Sequence, residues 1–134
     1  MEWALMPLKR YADFTGRSRR KEYWYFTAFL LIMMIVVGYV FSFLFGAALF
    51  GAPAAFRSAF GGMFVLTGLI ILIFLIPSIA VQVRRFHDQD KSGWFVLLGL
   101  IPYAGPFIVL VFMCLDGTPG PNGYGEDPKA DERL

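Results

Sequence analysis

Charge and metal-binding side chains are scarce in this sequence. Only 16% of its 134 residues are charged and 57% are apolar, whereas a typical soluble chain is about 25% charged. A single cysteine, Cys114, excludes an internal disulfide framework and a cysteine-based zinc site. One histidine, His87, leaves little for any other metal, so we expect neither a metal nor a cofactor. So few charges cannot cover a water-facing surface, which argues against a soluble fold.

Three long stretches contain no charged residue: residues 23–56, 58–83 and 92–115, of 34, 26 and 24 residues. About 20 apolar residues in a helix cross a bilayer core, and a backbone in lipid must satisfy its own hydrogen bonds, which selects helices. A signal peptide has a shorter apolar region, and so short a chain cannot bury three apolar helices. We therefore predict an all-α polytopic membrane protein with about three transmembrane helices.

Turn-forming residues trim these stretches to predicted spans at about 24–45, 63–83 and 94–115. Residues 46–62, rich in small residues, predict a link that follows the membrane surface. Pro77 predicts a kink in the second span because proline removes a helical hydrogen bond. Pro102, Gly105 and Pro106 are placed to break the third stretch into two short halves.

The chain reads as one domain with a basic beginning and a Gly/Pro-rich end. Residues 1–128 form the predicted membrane domain, and 129–134 form a predicted disordered tail. Within the domain, Pro121-Asn122-Gly123 is typical of a tight turn.

Lysine and arginine orient the chain, because cytoplasmic loops are enriched in both. Residues 1–22 hold six and residues 84–91 hold three, whereas the first link holds one and the C-terminal tail two. We predict three spans with the N-terminus cytoplasmic and the C-terminus periplasmic, which places nine such charges inside and three outside. If the third stretch is re-entrant, the tail returns to the cytoplasm and the count becomes eleven against one. The rule leaves both arrangements open.

Two basic motifs, residues 14–24 and 83–94, fall on the same predicted membrane face. Their carboxylates can pair with arginines across the motifs, tying the start of the first span to the end of the second. In a purely structural interpretation these residues only hold the helix ends. In a functional interpretation they form a lipid or partner site. The candidate binding residues are Arg17, Arg20, Glu22, Trp24, Arg84, Arg85, His87, Asp88, Ser92 and Trp94.

Local spacing also offers pairs within each motif. Arg19 and Glu22 lie three apart, and Arg84 and Asp88 four apart, which are helix-pair spacings. Ser92 is placed to cap a following helix.

His87 beside Asp88 invites an acid–base or metal interpretation. A metal site needs three or four ligands, and nucleophilic catalysis needs a nucleophile, for which Ser92 is the nearby candidate. The middle of each predicted span also lacks the ionisable group that a proton relay needs. We therefore predict no catalytic residue and no metal ligand.

The motifs resemble the DUF805 family of small bacterial inner-membrane proteins of uncharacterised function. The matching pieces are Gly16–Trp24, Val83–Asp88, Ser92–Trp94, Ile101–Pro102 and Gly117–Pro128. Two positions depart from the family pattern, with Phe86 in place of leucine and Gly123 in place of arginine. The resemblance implies a multi-pass inner-membrane protein and no particular reaction.

These observations predict a non-enzymatic integral inner-membrane protein. Its role would be that of a small helical scaffold or adaptor contacting anionic lipid or a membrane partner through its cytoplasmic basic face. One alternative is a subunit of an oligomeric small-solute or lipid transporter, and a less favoured one is a lipid-headgroup enzyme using His87 and Asp88. A homo-oligomer or a membrane-protein partner fits this prediction, and a nucleic-acid partner does not.

Overall fold

The computed structural model describes residues 2–49 and 53–130, and within them the fold is helical without strands. This confirms the predicted all-α class. The elements in chain order are α1 (Glu2–Lys9), α2 (Arg20–Leu49), α3 (Pro53–Asp88), a 3₁₀ helix (Gly93–Leu100) and α4 (Ala104–Cys114).

Two helical stretches within the described residues are long and apolar enough to cross a membrane. They are Arg20–Gly46 in α2 and Gly61–Asp88 in α3, of 27 and 28 residues. At 1.5 Å per residue each is about 40 Å long, which exceeds the roughly 30 Å of a bilayer core. The predicted spans 24–45 and 63–83 fall inside these two stretches.

The predicted link over 46–62 is largely helical, with the end of one long helix and the start of the other inside it. Helix α2 continues to Leu49 and α3 already begins at Pro53, while residues 50–52 lie outside the described part of the chain. Proline is favoured at the first position of a helix, where its missing N–H costs nothing. Helix α3 then runs through Pro77 to Asp88.

The third apolar stretch, predicted as a span at about 94–115 that prolines could break, is a helical hairpin of two short halves. The 3₁₀ helix and α4 are joined through Tyr103, whose φ is +63°. The 11 residues of α4 extend only about 16 Å, half a bilayer core. The two arms pack closely, since a Cβ at Gly105 would collide with the carbonyl oxygen of Leu98. Pro102 and Pro106 explain why the helix breaks between the two arms, because a proline interrupts helical hydrogen bonds.

The chain divides into two compact units, which we call the polar unit and the apolar unit. The polar unit combines Met1–Thr27 with Ile76–Leu134, and the apolar unit is Ala28–Leu75. In the apolar unit the rings of Phe29 and Phe74 pack with centroids 6.2 Å apart. Many of its other apolar side chains are exposed, as suits contact with acyl chains.

A small apolar core in the polar unit fixes the hairpin to the end of α3. Phe86, Val109 and Met113 are buried together. The Phe86 ring also lies 5.9 Å from that of Phe95 and 5.7 Å from that of Phe112. The hairpin therefore packs on the same turn of α3 that carries the second basic motif.

Candidate functional site

Charged residues from both basic motifs meet in the interior of the polar unit. Together with Ser18 they form what we call the buried network, which consists of Arg17, Ser18, Glu22, Arg84, Arg85 and Asp88. Arg84 and Arg85 have no exposed surface, and Glu22 and Asp88 are each 2% exposed. Buried charges are costly unless they are paired and hydrogen-bonded, so their partners define what this site can do.

One half of the buried network joins Glu22 to Arg84. Arg84 Nη2 donates to Glu22 Oε1 at 3.0 Å, and Ser18 Oγ donates to Glu22 Oε2 at 2.5 Å. Arg84 Nη1 donates to the carbonyl oxygen of Asp13 at 2.6 Å, and the N–H of Ser18 donates to the carbonyl oxygen of Arg84 at 3.2 Å. The loop before α2 is thereby tied to the last turns of α3.

The loop that receives Arg84 is itself held by Asp13. The Thr15 hydroxyl and N–H donate to its carboxylate, and so does Arg10. These hydrogen bonds hold the pKa of Asp13 well below its usual range.

The other half of the buried network centres on Asp88. Arg17 Nε donates to Asp88 Oδ1 at 3.0 Å, and Arg85 Nη1 donates to Asp88 Oδ2. Arg85 Nη2 also donates to the carbonyl oxygen of Leu115, just after α4. A single carboxylate therefore joins the N-terminal loop and α3, while Arg85 extends the connection to the end of the hairpin.

The Gly/Pro-rich tail closes over Arg17 and Asp88. Arg17 Nη2 and Nη1 donate to the carbonyl oxygens of Thr118 and Gly120 at 2.6 and 2.7 Å. The N–H of Thr118 donates to the carbonyl oxygen of Asp88 at 2.8 Å. A Cβ at Gly117 would collide with the Asp88 carboxylate. The tail thus requires a glycine where it crosses the buried network.

His87 and Asp88 are neighbours in sequence, but their side chains have different partners. The His87 ring stacks on that of Tyr124, with centroids 3.9 Å apart and planes 6° from parallel. Its Nδ1 lies 3.2 Å from the carbonyl oxygen of Gly16. The Asp88 carboxylate is meanwhile held by Arg17 and Arg85. This arrangement suits packing and positioning more than acid–base chemistry.

The other predicted site residues lie outside the buried network. Arg20 is 38% exposed and pairs with Asp116, while Trp24 is exposed and packs edge-on against Tyr23. Ser92 Oγ accepts a hydrogen bond from the N–H of Trp94, which confirms the predicted cap. The Trp94 side chain is 77% exposed. The structure thus brings together Arg17, Glu22, Arg84, Arg85 and Asp88, with His87 beside them.

Several residues of this site were missed by the sequence interpretation. Ser18, Thr118 and Gly120 supply a hydroxyl and carbonyl oxygens to the buried network. Asn122 Nδ2 donates to the carbonyl oxygen of His87 at 2.9 Å. The available signal was the turn at Pro121-Asn122-Gly123, which the structure forms with a bridge between Asn122 and Gly125. That signal predicts a turn and does not reveal what the turn contacts.

Lys129, near the end of the tail, makes hydrogen bonds to two carboxylates. Of the predicted disordered residues 129–134, Lys129 donates to Asp116 Oδ1 at 3.0 Å, and its N–H donates to Asp127. Residues 131–134 lie outside the described part of the chain. Among the residues that the structure describes, no group of three or more His, Cys, Asp or Glu side chains is placed to hold a metal ion.

Two helices able to cross a bilayer, together with a polar unit whose two buried carboxylates are both paired with arginines, define a polytopic integral membrane protein. The sequence profile of the family described as "Protein of unknown function (DUF805)" matches residues 11–126. The chain belongs to the DUF805 family.

Similar proteins carry names that agree with this class. "Inner membrane protein YhaH" of Escherichia coli (strain K12) is 44% identical over 131 residues, covering 98% of this chain and 99% of that protein. "Inner membrane protein YhaI" of the same strain is 40% identical over 129 residues, covering 96% and 97%. "Uncharacterized protein YiiR" is 28% identical over 140 residues, covering 86% and 85%. No solved structure matches. The inner-membrane class predicted from sequence is confirmed.

Proposed function

We propose that this protein is a non-enzymatic scaffold of the inner membrane that works through the outer surface of its polar unit. The observation that carries this proposal is the burial of Arg17, Glu22, Arg84, Arg85 and Asp88 against one another. Side chains paired in this way stabilise the fold of the polar unit, because removing one partner of a buried ion pair is strongly destabilising. The surface left for contacts is the outer one, and its partners are anionic lipid or another membrane protein.

We further propose that both termini are cytoplasmic, in place of the periplasmic C-terminus that three spans predict. The N-terminal loop, the end of α3 and the tail are joined by hydrogen bonds, so they share one side of the membrane. Placing that side in the cytoplasm puts eleven lysines and arginines inside and leaves only Arg57 outside.

The hairpin supports a re-entrant third stretch. Trp94 and Leu100 are each 77% exposed, Phe107 is 73% exposed, and Tyr103 at the turn is 92% exposed. So much exposed apolar and aromatic surface suits insertion into one leaflet, where aromatic rings favour the interface. Non-helical backbone at the turn is tolerated there only if it stays shallow or shielded.

The proposed topology predicts the activity of reporter fusions. Green fluorescent protein fused after Leu134 should fluoresce, because it folds in the cytoplasm, and alkaline phosphatase at the same point should be inactive. The matched control places each reporter after Gly51, between the two long helices, where the pattern should reverse. Active alkaline phosphatase at the C-terminus would contradict the proposal.

The proposed lipid contact predicts which phospholipids accompany the protein. When the full chain is purified from bacterial membranes in mild detergent, phosphatidylglycerol and cardiolipin should exceed their bulk share by about twofold or more, because basic residues near the surface attract anionic lipid. Quantitative lipid analysis measures this ratio. A bound-lipid composition equal to the bulk would count against lipid as the contact.

A further inference from the structure

Four basic side chains line one cavity of the polar unit. The cavity has a volume of about 250 Å³ and is lined by Arg19, Arg20, Lys21 and Lys129. Arg20 and Lys21 begin α2, Arg19 precedes it, and Lys129 comes from the tail. Lys21 and Lys129 therefore line the same basic cavity, although they lie 108 positions apart in sequence. This site is separate from the buried network, to which none of the four belongs.

Two of the four basic side chains already coordinate an oxygen anion beside the cavity. Arg20 Nη1 and Lys129 Nζ each lie 3.0 Å from the same atom, Asp116 Oδ1. Asp116 is 65% exposed, and hydrogen bonds from Lys129 and Arg20 lower its pKa to about 2. The carboxylate is therefore ionised at neutral pH and balances one of the four positive charges.

The surroundings favour a phosphate group. The first N–H groups of a helix lack intrahelical partners and carry partial positive charge, which together attract anions. Arginine matches phosphate oxygens with two parallel donors, and lysine adds a point charge. Tyr23, Trp24 and Tyr25 follow the cavity along α2, and such aromatic residues are typical of the headgroup level of a bilayer.

We propose that this cavity binds a phosphate group, and that the group is the phosphodiester of an anionic phospholipid in the cytoplasmic leaflet. This inference rests on the proposed function for its membrane side and names the site and chemistry of the lipid contact. Asp116 acts as a resident competitor, since the phosphate must share or displace it to reach Arg20 and Lys129.

Native mass spectrometry of the full chain in micelles containing equal phosphatidylglycerol and phosphatidylcholine tests the site. The wild type should retain phosphatidylglycerol preferentially. The variant Arg19→Gln/Lys21→Gln should lose about tenfold or more of that preference, because each basic residue near a lipid surface contributes about fivefold. The control Lys9→Gln/Lys91→Gln removes the same charge outside the cavity and should keep the preference. Thermal unfolding checks that both variants are folded.

A second variant separates binding from structural support. Asp116→Asn removes the competing carboxylate and should raise phosphatidylglycerol retention a few-fold, whereas a purely structural ion pair predicts no gain. A third arm adds inorganic phosphate alone. Binding of inorganic phosphate that the cavity variant abolishes, without any phosphatidylglycerol preference in the wild type, would overturn the lipid source.

The remaining outcomes distinguish this inference from the proposed function. A wild-type preference that survives equally in the cavity and control variants would overturn the cavity while leaving the lipid contact intact. Absence of any lipid preference and of phosphate binding would overturn both.

Discussion

The free energy of unfolding of the variant Asp88→Asn should be about 3–5 kcal/mol lower than that of the wild type. This is the typical cost of removing one partner of a buried ion pair. Asp88 is 2% exposed and holds both Arg17 and Arg85. A neutral amide there leaves two buried guanidinium groups without their shared anion. Thermal or denaturant unfolding of the purified protein in detergent measures the loss, and membrane abundance should fall with it.

Asp116→Asn is the matched control for this prediction. Asp116 also holds two cations, Arg20 and Lys129, but is 65% exposed. Exposed pairs contribute little because water screens them, so its unfolding should stay close to that of the wild type. Equal effects of the two substitutions would show that burial of the Asp88 pairs is not what stabilises the polar unit.

The pair formed by Glu22 and Arg84 should show strong energetic coupling. Arg84→Met leaves Glu22 buried with its hydrogen bond from Ser18, and Glu22→Leu leaves a fully buried cation. Each single substitution should cost about 3–5 kcal/mol. The double variant should cost less than the sum, with a coupling energy of about 2 kcal/mol or more, because no unpaired charge is left behind.

The same unfolding measurement on all four proteins completes this cycle. The Nε of Arg84 is buried without a hydrogen-bond partner among the described residues, a cost that cancels in the cycle and so leaves the coupling to the pair itself. Strictly additive losses would mean that the two side chains stabilise the unit independently, against the geometry of their 3.0 Å contact.

The two long helices were predictable because the bilayer imposes a coarse requirement. A charge-free run of sufficient length is enough to indicate a span, and this placed 24–45 and 63–83 within α2 and α3. Their ends were not predictable, because apolar Gly/Ala-rich residues such as those at 46–49 are compatible with either a helix or a loop. Pro102 and Pro106 indicated a break, but not whether the chain continues across the membrane or turns back.

The pairing in the buried network was only partly predictable. Pairing of a carboxylate in one motif with an arginine in the other was expected, and it occurs between Glu22 and Arg84, 62 positions apart. Local helix spacing instead favoured Arg84 with Asp88, whereas the structure pairs Asp88 with Arg85 and Arg17. Several arginines face few carboxylates, so sequence spacing cannot choose among them and packing decides.

The sequence indicated a turn in the tail, but not the contacts that the tail makes. Arg17 binds it through the carbonyl oxygens of Thr118 and Gly120, and every residue carries such an oxygen. The glycine at position 117 is explained only once the Asp88 carboxylate is seen beside it.

The hydrogen bonds from Arg17 to the tail set the point in biosynthesis at which the polar unit can close. The acceptors at Thr118 and Gly120 are synthesised 101 and 103 residues after Arg17, which takes about 5–20 s at usual translation rates. Throughout that interval the guanidinium group must stay hydrated outside the bilayer while both spans are inserted. Synthesis of the tail through Gly120 is therefore the event that lets this unit close, and a product released before it lacks the acceptors of Arg17.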